Sequence, residues 1–218
     1  MTDTRTDALI DALSADVRPV RPMPSPFRRA LTTLAAIAPL AAGAVYLLSD
    51  PRRLMAIHAG REGMFALEMA AMFATGVLSV IAAFFVSVPG RSRLWLAAPV
   101  PFFIGWLLLS GAGCYDDFVR GGSSRGEIGQ SMDCLFFIVG VSAVLAPPLL
   151  WRLSRAAPID PVPVALLGGL GLAASAAFLL QFFHPFAVTI IDLAVHVVAV
   201  LVVVGIIGLL NRRALAAA

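Results

Sequence analysis

Few residues in this chain are equipped for chemistry, and most of them fall towards its second half. Cys114 and Cys134 are the only cysteines and stand twenty positions apart. Thiolate sulfur and imidazole nitrogen are good transition-metal donors. Cys114, Cys134, His184, Asp192 and His196 are therefore the candidate metal set, and the two cysteines are the candidate sensing residues. Two readings of the thiol pair stay open: a plain structural disulfide, which persists in an oxidising compartment, or a thiol switch that responds to oxidant or metal. Asp192 and His196 are spaced i, i+4 and share one helix face, so they either pair with each other or serve a ligand. Glu68 is the remaining ionisable residue inside an apolar run, and His58 reads as a solvated loop residue.

The elements that must carry these residues are membrane spans. The 218 residues are 60% hydrophobic and 13% charged, whereas a soluble domain carries about 25% charged residues. That balance excludes a water-soluble globule, a disordered chain and a disulfide-rich secreted module. A span needs roughly 20 mostly apolar residues. Six segments qualify: Leu31–Ser49, Met64–Val88, Leu94–Ala112, Cys134–Trp151, Val162–Phe182 and Val188–Leu210. The fold class is all-α and polytopic. A tail over 1–30 precedes a six-helix domain over 31–211, and a short tail over 212–218 follows. No cleavable signal peptide is expected ahead of the first span. Trp95, Trp106 and Trp151 read as interfacial anchors, although Trp106 sits further from a helix end than the other two.

Every basic residue is arginine. Eleven of the sixteen fall in the N-terminal tail, the second and fourth loops and the C-terminus; five fall on the other side. The positive-inside rule then places both termini in the cytoplasm. Glu68, Asp192 and His196 all lie near the outer ends of their helices, so no polar path crosses the bilayer. The loops are too short for a soluble catalytic domain and there is no Cys-x-x-Cys pair, so no enzyme is expected. A small-molecule transporter or permease is the alternative function, and it lacks polar residues at mid-depth.

The tail has its own pattern. Leu9, Ile10, Leu13 and Val17 recur at helical spacing, with Asp7 and Asp11 on another face. Such a helix is short and marginal alone. Pro19, Pro22, Pro24 and Pro26 follow and favour an extended spacer. Three readings compete: a helix lying on the membrane, an idle disordered segment, and a docking helix that folds into a partner's apolar groove. An acidic face argues against the first, and the docking helix is the preferred reading.

The tail from Leu9 to Val20, the six spans, the Val88-Pro89-Gly90 turn, and the stretch from Cys134 through Ala146-Pro147-Pro148 to Pro158 together resemble the NrsF family of bacterial integral-membrane anti-sigma factors. The resemblance implies sequestration of an extracytoplasmic-function sigma factor at the inner membrane. Release would follow an envelope, heavy-metal or redox signal sensed at the periplasmic face. The implied sigma-binding residues are Leu9, Ile10, Leu13, Val17, Pro19 and Val20, and the implied sensor includes Cys134. The family pattern often places a second cysteine between spans five and six. That loop here reads Gln181-Phe182-Phe183-His184-Pro185-Phe186, so Cys114 or His184 would substitute. Partners are the sigma factor and the bilayer, with no direct nucleic acid. No resident cofactor is expected; a transition-metal ion would bind transiently as the signal.

Overall fold

The computed structural model describes residues 4–15, 22–119, 128–156, 158–183 and 190–216. Among these residues the chain is entirely helical: α1 (Thr4–Ala15), α2 (Pro26–Leu48), α3 (Pro51–Ile57), α4 (Glu62–Val86), a 3-10 turn (Arg93–Ala97), α5 (Val100–Val119), α6 (Ile128–Ser154), α7 (Pro161–Leu180) and α8 (Ile190–Ala216). Six of them are long and apolar enough to cross a membrane, and the protein is a multi-pass membrane protein. Large apolar side chains such as Leu40, Tyr46, Leu47 and Leu108 stand on the outside of the bundle, as lipid requires.

Local chemistry sets the ends. Ser25 caps α2 by accepting from the Arg28 amide at 3.3 Å, with Pro26 at the first helical position, where the missing N–H costs nothing. α2 stops before Asp50-Pro51 because a residue preceding proline avoids the α region. The same two residues start α3. The Asp50 carboxylate accepts from the amides of Arg52 (3.0 Å) and Arg53 (3.3 Å). The pair that reads as a stop is therefore also a start, and the first loop contains a helical turn that periodicity did not reveal. Gly60 and Gly90 turn the chain with φ of +80° and +78°, a region glycine enters freely.

The third and fourth spans differ from the sequence reading in a way that bears on the cysteines. α5 runs on past Ala112 to Val119, and α6 starts at Ile128 rather than at Cys134. Cys114 and Cys134 are therefore helical residues, not loop-edge residues. Gly111 and Gly113 do not stop α5, because glycine is tolerated in membrane helices.

α7 is the centre of the bundle, packed on α4, α6 and α8. Of its spanning window 61% is buried, against 6% for α2. Its contact face is built from small residues, including Gly168, Gly169, Gly171, Ala173 and Ala177, which lets backbones approach closely in lipid. A Cβ at Gly171 would lie 2.8 Å from Val80 Cγ2 and 3.3 Å from the Gly76 carbonyl oxygen. α2 is peripheral. It touches α4 and α6, and its buried residues, Pro26, Ala30 and Thr33, all lie in its first turns.

Candidate functional site

Three places carry the polar and reactive side chains. The first joins α6 and α8 near their N-terminal ends. Cys134, Asp192 and His196 are all buried there. His196 Nδ1 lies 2.6 Å from the Asp192 backbone carbonyl oxygen. A carbonyl only accepts, so Nδ1 carries the proton and donates, and the ring is held along its own helix. The Asp192 carboxylate lies within electrostatic reach of Cys134. The i, i+4 relation thus ties the His196 ring to the Asp192 backbone, and α6–α8 packing puts Cys134 on the neighbouring helix. Trp106 is buried and lines a small pocket beside His196 with Phe103 and Val200, so it is a core residue and not an interfacial anchor.

The second place lies between α4 and α5. Ser110 Oγ donates to the Glu68 carboxylate. Arg61 donates to Met64 Sδ at 3.7 Å. Its guanidinium also lies over Gly113, where an added Cβ would sit 2.6 Å from Nη2. His58 stacks on Phe65 with ring centroids 3.7 Å apart and is half-buried in the loop after α3. Cys114 follows Gly113 and is also buried. Both cysteines carry thiols. α5 packs chiefly on α4 and α8, and α6 chiefly on α7 and α8, so the two thiols stand on helices that are not principal packing partners. Among the described residues, no three His, Cys, Asp or Glu side chains group as a metal site. His184, part of the candidate metal set, lies outside the described residues.

The third place is the opposite, arginine-rich end, where α2 grips the bundle. Arg29 Nη2 donates to the Arg152 carbonyl oxygen. Arg152 Nη1 donates in return to Thr32 Oγ1 at 2.9 Å and Thr33 Oγ1 at 3.4 Å. Both threonine hydroxyls donate to the Arg29 carbonyl oxygen, at 3.0 and 2.8 Å. The Arg29 guanidinium lies 5.0 Å above the Phe84 ring of α4. This clasp was not read from the sequence; the hydroxyl pair one turn after Arg28-Arg29 was the signal for it.

Ahead of the clasp lies α1. Leu9, Ile10 and Leu13 are 58%, 56% and 64% exposed, a contiguous apolar stripe on one short helix. Val17, Pro19 and Val20 lie outside the described residues.

A family model described as "NrsF: Negative regulator of sigma F" matches residues 13–216. The match takes in all six spans and Leu13, and leaves Leu9 and Ile10 just ahead of it. No curated protein and no solved structure matches the chain.

Proposed function

Because the chain belongs to the NrsF family of negative regulators of sigma F, we propose that it is a membrane-anchored anti-sigma factor that holds an extracytoplasmic-function sigma factor through its N-terminal tail. The observation that carries this reading is the uncovered Leu9, Ile10 and Leu13 stripe of α1. A twelve-residue helix is marginal by itself, and an exposed apolar stripe with one pair at i, i+3 (Ile10, Leu13) and one at i, i+4 (Leu9, Leu13) is what a groove on a partner recognises. Val17, Pro19 and Val20 would extend the contact. The excess of arginine in the tail, the second and fourth loops and the C-terminus supports cytoplasmic termini at a bacterial inner membrane by the positive-inside rule, where a sigma factor is within reach. The bilayer is then the second partner, and DNA is not contacted directly.

The signal in this reading arrives at the outer end. Oxidation or a transition-metal ion at Cys134 or Cys114, with Asp192, His196 or His184 as further ligands, would change how α6 and α5 pack on α8. An effector shifts such an equilibrium only by its differential affinity for the two packings. α6 joins the two ends: it carries Cys134 near one and Arg152, which holds α2, at the other.

The test is co-purification from detergent-solubilised membranes, comparing the full chain with one lacking residues 2–20. A sigma factor captured by the first and not by the second supports the reading. A well-folded full chain that captures none overturns it.

A further inference from the structure

The arginine-rich end carries a feature that neither the tail nor the thiols use. α6 and α8 pack together, yet a cavity of about 390 Å³ opens between them, lined by Ser142, Ala146 and Leu150 on α6 and by Val203, Ile207 and Leu210 on α8. Ligand sites run from about 300 to 1,000 Å³. The Ser142 hydroxyl is the one polar side-chain group on the wall. α6 carries Pro147 and Pro148 at this level, and proline deletes a helical hydrogen bond and bends the helix. Leu210 is 51% exposed, so the cavity opens on the outer surface of the bundle, where lipid tails lie.

The ends of both walls bear one sign of charge. Arg152 stands two residues past Leu150 on α6 and Arg155 just beyond its last residue, Ser154, while α8 runs on from Leu210 through Asn211-Arg212-Arg213. No carboxylate occurs in residues 139–156 or 203–216. Arg155 is exposed, and its guanidinium stacks on the Trp151 ring at 4.0 Å, which holds a cation beside the helix end. An apolar slot between two helices whose sequences run on into arginines matches the two halves of one molecule. We propose that this crevice seats an acyl chain of an anionic phospholipid, with the lipid phosphate held at the arginine-bearing ends of α6 and α8. Basic pockets between membrane helices bind anionic headgroups for the same electrostatic reason. A neutral lipid would fill the slot without using the arginines, and a soluble phosphate would use the arginines without filling the slot. The proposal does not depend on which partner the tail binds.

Native mass spectrometry of the detergent-purified full chain, titrated with palmitoyl-oleoyl phosphatidylglycerol or phosphatidylcholine, tests this. One phosphatidylglycerol should bind at least about tenfold more tightly than phosphatidylcholine, a difference of about 1.4 kcal/mol. Ala146→Phe, which fills the crevice, should weaken both lipids. Arg155→Gln combined with Arg212→Gln and Arg213→Gln should abolish the preference and leave phosphatidylcholine binding unchanged. The triple variant leaves the crevice walls untouched and keeps the test intact if Ala146→Phe fails to fold. Equal binding of the two lipids overturns the proposal. So does full competition by glycerol 3-phosphate, or a chain dimer that Ala146→Phe disrupts, which would make a second copy the occupant.

Discussion

Arg29 and Arg152 hold each other's helices reciprocally. The Arg29 side chain binds the backbone of Arg152, and the Arg152 side chain binds the hydroxyls of Thr32 and Thr33, which in turn bind the backbone of Arg29. The loop closes two helices that are distant in sequence and gives α2 its main polar hold on the bundle.

The first prediction follows from that loop. Arg152→Gln removes the bonds to both threonines, and Thr33→Val removes one acceptor. Hydrogen bonds between membrane helices contribute about 0.6 kcal/mol on average and up to about 1.7. Each single variant should therefore lower stability by about 1 kcal/mol. The pair should lose less than the sum of the two, because both changes delete a shared bond. Chemical unfolding in detergent micelles reads this, and strictly additive losses would contradict the clasp.

A second prediction concerns the central helix. A Cβ at Gly169 would lie 2.8 Å from Val204 Cα, a backbone atom that cannot step aside. Gly169→Ala should therefore force α7 and α8 apart and cost about 1–3 kcal/mol, as overpacking does. Gly208, on the same α8, has open space where its Cβ would be. Gly208→Ala should be neutral or stabilise by up to about 1 kcal/mol through helix propensity. Melting temperatures of the two variants, measured side by side, should move in opposite directions or only the first should fall.

The third prediction separates the thiols from solvent and then from each other. Cys134 and Cys114 are 3% and 7% exposed. A bulky maleimide should label both slowly in native membranes and quickly in denaturing detergent. In the proposed function, Cys134→Ser should blunt signal-dependent release of the sigma factor more than Cys114→Ser, because α6 itself carries both Cys134 and the clasp residue Arg152, whereas Cys114, on α5, reaches the clasp through a further helix, α4. Release that is unchanged in both variants would remove the thiols from the sensor.

The sequence told these regions apart unequally, for physical reasons. Apolar runs announce spans because lipid leaves no alternative, and all six helices are where the runs are. Their ends are less legible. Asp50-Pro51 stops one helix and starts another with the same atoms, and Gly111 and Gly113 look like breakers but lie within α5. The i, i+4 pair Asp192 and His196 was readable because both sit on one helix. The Ser110–Glu68 bond, the Arg61 contact with Gly113 and the Arg29–Arg152 loop were not, because each depends on which helices pack together. Apolar periodicity carries no record of that pairing.

The fourth prediction tests the tail. Leu13 lies within the family match and is the most exposed of the three apolar residues on α1. If it enters a groove on the sigma factor, burying its side chain contributes about 1.5–3 kcal/mol. Leu13→Asp removes that contribution and adds the cost of burying a charge. Capture should weaken by at least about tenfold, while the six spans, which do not touch this residue's role, keep their helicity and melting temperature. Asp11 is neither three nor four residues from any of the three apolar positions and so lies off the stripe, and Asp11→Asn should leave capture nearly unchanged. Calorimetry or surface plasmon resonance with the purified sigma factor and the full chain in detergent would measure both. Equal losses from Leu13→Asp and Asp11→Asn would point to general charge rather than an apolar stripe. No loss from Leu13→Asp would move the docking surface off α1 altogether.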